Sequence, residues 1–257
     1  MTSSRSKAVV TGASAGIGEA IARRLAADGA KVLLAGRNID ELERVAAAIC
    51  AEGGEAFPFA GDFVQRETAA HIVEAAFARM DGIDMLVNCA SQTLNHNIFE
   101  LSDDEWQLGF EVKLFATIRL IREAWPALKQ GCGSVVNIGG AGARTPQSIS
   151  AMSAASSSAL AAVTKALAQS GITDGVQVNA IHPGLVRTPR IERTFAGDAA
   201  SEAEIEQVLA LSSERAGMVR AGRPEDVASL VAFIVSPAGE MLQGAIIDLD
   251  GGMTKGI

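Results

Sequence analysis

The chain has 257 residues, 48% of them hydrophobic, and a formal net charge of −8, with a pI near 5.0. That length is enough to bury a sizeable core and suits one α/β domain or two small ones. The acidic balance argues against an electrostatic nucleic-acid partner, which needs a basic face. No uninterrupted apolar run approaches membrane-spanning length.

The opening MTSSRSK is polar and lacks the apolar core of a signal peptide. Cys50, Cys89 and Cys132 are odd in number and lack metal-ligand spacing, which fits a reducing cytosol and no metal centre. A cytoplasmic protein with a small-molecule partner is the expectation. No linker, charge block or low-complexity stretch divides residues 1–257, so they read as one domain.

In chain order, Ala8-Val9-Val10 reads as a buried strand that runs directly into Gly12-Ala13-Ser14-Ala15-Gly16-Ile17-Gly18. From Glu19 to Asp28 the spacing is helical, with Ile21, Ala22 and Leu25 on one face. Strand, glycine turn and helix form a phosphate cradle: glycines let the backbone come close, and the helix start offers unpaired N–H groups. The alternative is an ordinary strand–helix turn rich in glycine. Lys31 to Ala35 reads as a second strand ending at Gly36-Arg37. In dinucleotide folds an acidic residue here would hold the adenosine ribose hydroxyls; an arginine suits a 2′-phosphate, favouring NADP(H) over NAD(H). Asn38 is placed to cap a helix from Ile39 to Ala51.

A third strand is expected at Ala56–Ala60 with Asp62 beyond it, then a helix over Gln65–Met80 and a fourth strand at Ile83–Val87 ending in Asn88-Cys89-Ala90-Ser91. The helical pattern from Asp103 to Leu128 is long, and Pro126 is read as marking its end. Strand five, Ser134–Ile138, opens into Gly139-Gly140-Ala141-Gly142. Ile149 to Ser170 is rich in alanine and serine, the composition of a closely packed helix interface. Strand six, Val176–Ile181, is stopped by Pro183-Gly184. Residues 187–220 are charged, contain a helix near Glu202–Glu214, and read as a mobile substrate-side insertion. Pro224 opens another helix, and Ala245–Leu249 is the last strand.

These motifs, in this order, resemble the short-chain dehydrogenase/reductase family over nearly the whole length. Thr11 to Gly18 fits the family's TGxxxGIG cofactor loop, and Asp62 stands where an aspartate contacts the adenine. Asn88-Cys89-Ala90-Ser91 is an altered NNAG element. Asn179 to Gly184, with Thr188, resembles the NxxxPGxxxT segment at the nicotinamide end. The resemblance implies an α/β, Rossmann-type, doubly wound seven-stranded parallel sheet in the order 3-2-1-4-5-6-7, with helices on both faces. It also implies a cofactor site including Gly12, Ser14, Ala15, Gly16, Ile17, Gly18, Arg37, Asp62, Asn88, Ala90, Pro183, Gly184 and Thr188. A homotetramer or homodimer built on the helices near 103–128 and 149–170 follows from the same likeness.

The chain departs from the family at the catalytic positions. The family uses an Asn–Ser–Tyr–Lys tetrad containing YxxxK, and this sequence has no tyrosine. Aligned on Ala154-Ala155-Ser156, the tyrosine position is Ser153 and the lysine position Ser157. The family serine aligns with Gly140 and the asparagine with Lys113. General acid–base help is worth about 10²–10⁴ in rate and an oxyanion donor about 10²–10³, so the usual carbonyl-reductase mechanism cannot operate unchanged. Lys113 is the candidate replacement, its ammonium reaching into the volume left by Ser157; the alternative is that it snorkels outward or faces a subunit interface. His182 reads as a structural or solvent-facing histidine, and Cys89 as a packing residue. Arg144, His96 and Arg190 are placed on loops bordering the substrate, with no role assigned.

Two functions remain open at this level. One is an NADP(H)-dependent oxidoreductase acting on a small carbonyl, alcohol or enoyl substrate, with water, the substrate or Ser153 with Lys113 as proton source. Some enoyl-thioester reductases of the broader family carry serine at the tyrosine position, though they keep the lysine. The other is an NADP(H)-binding sensor, partner subunit or non-redox enzyme on the same fold.

Overall fold

The computed structural model describes residues 6–92, 96–198 and 200–256; the first five residues of the polar start, and Ala199 of the 187–220 segment, lie outside them. Seven strands form one sheet: β1 (Lys7–Thr11), β2 (Lys31–Gly36), β3 (Glu55–Ala60), β4 (Met85–Asn88), β5 (Ser134–Ile138), β6 (Gln177–Pro183) and β7 (Ile246–Leu249). Their order is β3-β2-β1-β4-β5-β6-β7, and every pairing is parallel. Strand order therefore reverses between β1 and β4, which opens a crevice at the carboxyl ends of those two strands.

Alternation along the strands distributes side chains to two apolar layers. Ala8, Val10, Val32 and Leu34 face α1 (Gly16–Ala27), α2 (Ile39–Ala51) and α9 (Pro224–Ile234), meeting Ile21, Leu25, Val45 and Val231. Val9, Leu33, Leu86 and Val135 face the other way, toward α3 (Thr68–Met80), α5 (Ala116–Gly131) and α6 (Ala151–Asp174), meeting Ile72, Leu120 and Ala168. Strands buried on both faces explain why the sequence shows them as continuous apolar runs.

Several boundaries differ from the sequence expectation. The helix expected from Gln65 starts at Thr68, and the one expected at Ile149 starts at Ala151 after a short 3₁₀ turn. The single helix expected over 103–128 is three pieces: α4 (Asp103–Phe110), a π turn over Glu111–Phe115, and α5. Pro126 does not end α5, which runs on to Gly131. Its ring is exposed, so the carbonyl it leaves unpaired can turn to water, while Ala124 and Leu128 on the buried side hold the helix. The 187–220 segment holds two helices, α7 (Pro189–Ala196) and α8 (Glu202–Arg215), where one was expected.

Just before the π turn, α4 crosses α6 closely. A Cβ placed on Gly109, at the end of α4, would fall 2.0 Å from the Sδ of Met152 at the start of α6. Gly109→Ala should therefore lower stability by about 1–3 kcal/mol through overpacking, read as a fall in the urea midpoint at unchanged slope. Restoring space with Met152→Ala in the same chain should recover part of that loss.

Candidate active site

The floor of the crevice is the glycine turn. Gly12 (φ +66°) and Gly16 (φ +57°) hold left-handed conformations that a side chain rarely adopts. A Cβ on Gly18 would stand 2.1 Å from the Gly12 carbonyl oxygen, so the turn closes only with glycine there. Helix α1 begins at Gly16 with extended Ala15 before it, and no side chain caps it. Its first N–H groups thus face the crevice, a built anion cradle. The Thr11 hydroxyl ties this turn to the end of β4, accepting from the N–H groups of Cys89 (3.0 Å) and Ala90 (3.1 Å). The Thr188 methyl lies against Gly16: a Cβ there would meet Thr188 Cγ2 at 3.1 Å. The geometry fits a dinucleotide pyrophosphate, in which a larger residue at 16 or 18 would occupy the space.

Beyond β2, Arg37 is exposed and has no hydrogen-bond or ion-pair partner among the described residues. Arg44 on α2 is occupied, donating to Glu19 (2.8 Å), Glu41 (2.8 Å) and the Ser14 carbonyl (3.3 Å). Asp62 is exposed past β3, one carboxylate oxygen accepting from Val64 N–H at 3.1 Å. Asn38 caps α2 as expected, its Oδ1 accepting from Asp40 N–H at 3.1 Å.

Beneath the crevice the polar side chains form a chain of hydrogen bonds. Asn88 donates to Asn137 (2.9 Å), Asn137 to Thr164 (3.0 Å), and Thr164 to the Leu160 carbonyl (2.8 Å). All three side chains are buried. The network leaves Asn88 Oδ1 without a partner among the described atoms. Asn88 thus braces β4 against β5 and α6, and only its Oδ1 remains to be met.

Lys113 lies within the π turn and is 4% exposed. It does not snorkel outward: its Nζ lies 3.4 Å from the Gly139 carbonyl oxygen, a long hydrogen bond. No carboxylate pairs with it among the described residues. Burial, followed by the Arg190 charge, pulls its ammonium down to about 8, with Cys89 opposing. π turns inside helices recur at functional sites because the extra residue re-aims a side chain inward. Gly140 stands next along the chain, and a Cβ there would lie 3.6 Å from Ser157 Oγ. That hydroxyl is buried and has no partner among the described atoms. Lys113 thus reaches the Gly139 carbonyl and Ser157 approaches the next residue, Gly140, but no bond joins Lys113 to Ser157. Ser153 is half-buried one turn earlier on the same face of α6. Its neighbours Ser156 and Ser158 donate to backbone carbonyls, at 3.2 Å to Ser153 and 3.0 Å to Ala154.

His182 is buried on β6 and its two ring nitrogens make no hydrogen bond among the described atoms. It faces Asp248, its register partner on β7, with Nδ1 3.6 Å from the carboxylate. Arg144 approaches the same carboxylate at 3.4 Å. Burial outweighs the Asp248 charge and lowers the imidazole below its ordinary value. The ring fills the space beside Gly139, where a Cβ would lie 2.4 Å from it. His182 is thus a packed, neutral histidine at neutral pH. Burial also pushes the Cys89 thiol up to about 12, which leaves it protonated and unreactive.

The rim is α7. Thr188 caps it, accepting from Ile191 N–H at 3.3 Å, with Pro189 in its first turn. Arg190, expected on a loop, belongs to this helix. The Thr-Pro pair was the available signal, since a capping hydroxyl followed by proline marks a helix start. Arg187 clamps the rim to α8 through Glu192 (2.5 Å), Glu202 (2.7 Å) and Glu206 (2.8 Å). Among the described residues no cluster of His, Cys, Asp and Glu could hold a metal, and no helix is long and apolar enough to cross a membrane.

A buried ammonium without a counter-ion weakens the fold. Because its pKa is lower folded than the ordinary lysine value, the folded state loses the proton first, and the penalty is relieved as pH rises from about 8 toward 10.5. Lys113→Met should therefore stabilise the protein below pH 8, by up to about 3 kcal/mol, and the gain should shrink as pH approaches 10. Thermal unfolding of both proteins across that range reads the effect.

A family model described as Enoyl-(Acyl carrier protein) reductase matches residues 12–254. The short-chain reductase protein NovJ of Streptomyces niveus is 32% identical over 254 residues, covering 97% of this chain and 94% of that relative. Among solved structures, L-sorbose reductase from Gluconobacter frateurii, complexed with NADPH and L-sorbose, superposes with a TM-score of 0.91 at 30% identity, over 99% of this chain and 98% of that one. A short chain oxidoreductase from Pseudomonas aeruginosa, described as NADPH-bound and as containing an atypical catalytic center, gives a TM-score of 0.91 at 26% identity over 98% of both chains.

Proposed function

The chain belongs to the short-chain dehydrogenase/reductase family of oxidoreductases, and from that premise we propose that it is an NADP(H)-dependent reductase or dehydrogenase in which Lys113 replaces the missing tyrosine and lysine. The single observation that carries this reading is the Lys113 ammonium, buried without a carboxylate partner among the described residues and 3.4 Å from the Gly139 carbonyl. A charge so placed has no structural reason to be there, because an apolar side chain would be more stable.

The residues that would hold the dinucleotide are the N–H groups of the 12–18 turn, Ser14 to Gly18 at the pyrophosphate, and Asp62 at the adenine. Asn88, Ala90, Pro183, Gly184 and Thr188 border the nicotinamide end. Arg37 is the uncommitted cation for a 2′-phosphate, which supports NADP(H) over NAD(H). When bound, the cofactor supplies or accepts the hydride. Lys113 faces the substrate oxygen or the conjugated carbonyl on which negative charge grows. With a value near 8 it is protonated at neutral pH yet able to give a proton up from Nζ, the compromise that favours a general acid. Ser157 Oγ adds a second donor, and Ser153 stands one helical turn away toward the opening. The neutral His182 and protonated Cys89 contribute shape rather than protons. Small carbonyl, alcohol and enoyl compounds fit this donor set. Assembly into a homodimer or homotetramer is part of the same reading, supported by exposed Leu108 and Phe115 on the α4–α5 face. So are a single domain and a cytoplasmic setting, the latter by the three free cysteines.

Fluorescence titration with NADPH and NADH tests the cofactor half. NADPH should bind at least about tenfold tighter, and Arg37→Ala should remove that preference, about 1.4 kcal/mol, while leaving NADH unchanged. A panel of ketones and enoyl thioesters tests the chemistry through nicotinamide absorbance: Lys113→Met should cut turnover by about 10²-fold or more. Turnover indifferent to Lys113, or no binding of either nucleotide, sinks the proposal.

A further inference from the structure

Resting on that reading of Lys113, we infer that His182 is a positioning residue: its ring backs the Gly139 peptide, whose carbonyl oxygen receives the Lys113 ammonium. The contacts that point there run across three neighbouring strands. Gly139 follows β5, His182 lies on β6 and Asp248 on β7.

The backbone of Gly139 is not in the left-handed region, so conformation does not call for glycine there. Space does. A Cβ on Gly139 would stand 2.4 Å from His182 Cδ2 and 2.7 Å from Nε2, and the third nearest atom, Cγ at 3.6 Å, belongs to the same ring. The imidazole thus occupies the place where a side chain of residue 139 would begin. The Gly139 N–H donates to the Ile181 carbonyl at 2.8 Å, a second tie to β6 at the residue just before His182. On its other side the Gly139 carbonyl oxygen lies 3.4 Å from Nζ, the one hydrogen-bond acceptor that Lys113 has among the described residues. Tied to β6 by a bond and backed by the ring, the Gly139 peptide has little freedom to turn that oxygen away.

The ring is itself held. Its side chain is 2% exposed, so it cannot swing out to water. Nδ1, on one side of the ring, faces the Asp248 carboxylate at 3.6 Å, while the opposite edge, Cδ2 and Nε2, meets Gly139. Turned over, the ring would put carbon against the carboxylate. Asp248 is approached in turn by Arg144 at 3.4 Å. Both ring nitrogens and Asp248 Oδ1 are buried without a hydrogen bond among the described atoms, a desolvation cost that a leucine at 182 would not carry. Orientation accounts for an imidazole at this point: the carboxylate sets the ring, and the ring sets the peptide that meets Lys113.

The experiment follows the Lys113 amine directly, by ¹³C NMR at Cε of lysine-labelled protein titrated from neutral to alkaline pH, the resonance assigned by its loss in Lys113→Met. Gly139→Ala drives a methyl into the caged ring, so the peptide must shift. Loss of the acceptor should move the Lys113 midpoint down from about 8 by about one pH unit. Adding His182→Ala to that chain makes room for the methyl and should return the midpoint to within about 0.3 of the parent. Arg190 and Cys89, whose charges bear on Lys113, and Asp248 and Arg144 beside the ring are unaltered in every variant. Should Gly139→Ala fail to fold, His182→Ala serves as the background: there the methyl should raise the thermal midpoint and bring Lys113 back toward its parent titration. A methyl that destabilises that background overturns the inference. So does a Gly139→Ala protein that is less stable yet titrates Lys113 as the parent does, since His182 would then be packing alone. The titration needs neither nucleotide nor substrate, so it decides this point even where the oxidoreductase reading fails.

Discussion

An ammonium group removed from water with only a backbone carbonyl to receive it is the constraint on which the cleft depends. Hydration is worth far more to such a charge than one long hydrogen bond. The surroundings are arranged to permit the burial. Lys113 lies on the π turn between α4 and α5 with its Nζ against the Gly139 carbonyl, and Ser157 stands at the position that aligns with the family's lysine. Each of these features is ordinary alone. Together they keep a cation where a hydrocarbon would have been the more stable choice.

The site has a rigid floor and a charged rim, and the two are built differently. The floor is made of short-range, direction-dependent bonds: the Thr11 hydroxyl joining β1 to β4, and the Asn88–Asn137–Thr164 chain joining β4, β5 and α6. Buried networks of this kind tolerate little displacement, since each unpaired member carries a desolvation cost. The rim over it, α7 and α8, buries few large side chains and is held at its root by one arginine.

The strands were legible because doubly buried parallel strands show as unbroken apolar runs, while their order came from the resemblance to the short-chain dehydrogenase/reductase family; the glycine turn was legible as a glycine-rich link between a strand and a helix. The Asn38 cap was legible for the same local reason. What escaped the sequence lay in long-range geometry. The pattern of 103–128 is periodic throughout, so the extra residue of the π turn leaves no local mark. Pro126 misled because its exposed side lets water take the freed carbonyl. The burial of His182 depends on a neighbour sixty-six residues away on β7 (248 minus 182). Lys113 was singled out from the loss of a lysine at one family position and its gain at another, but only the fold reveals that it lies inside. Arg190 was passed over as a loop residue, although Thr188-Pro189 announces a helix.

The Arg187 clamp carries a consequence for the environment in which the protein works. Its three glutamate partners sit near the surface, within reach of mobile ions, and such contacts weaken as the Debye length contracts. The floor, made of neutral hydrogen bonds and hydrocarbon, does not respond in that way. Ionic strength therefore acts on the two parts of the cleft unequally, loosening the tie between α7 and α8 while the hydrogen-bonded floor stays as it was.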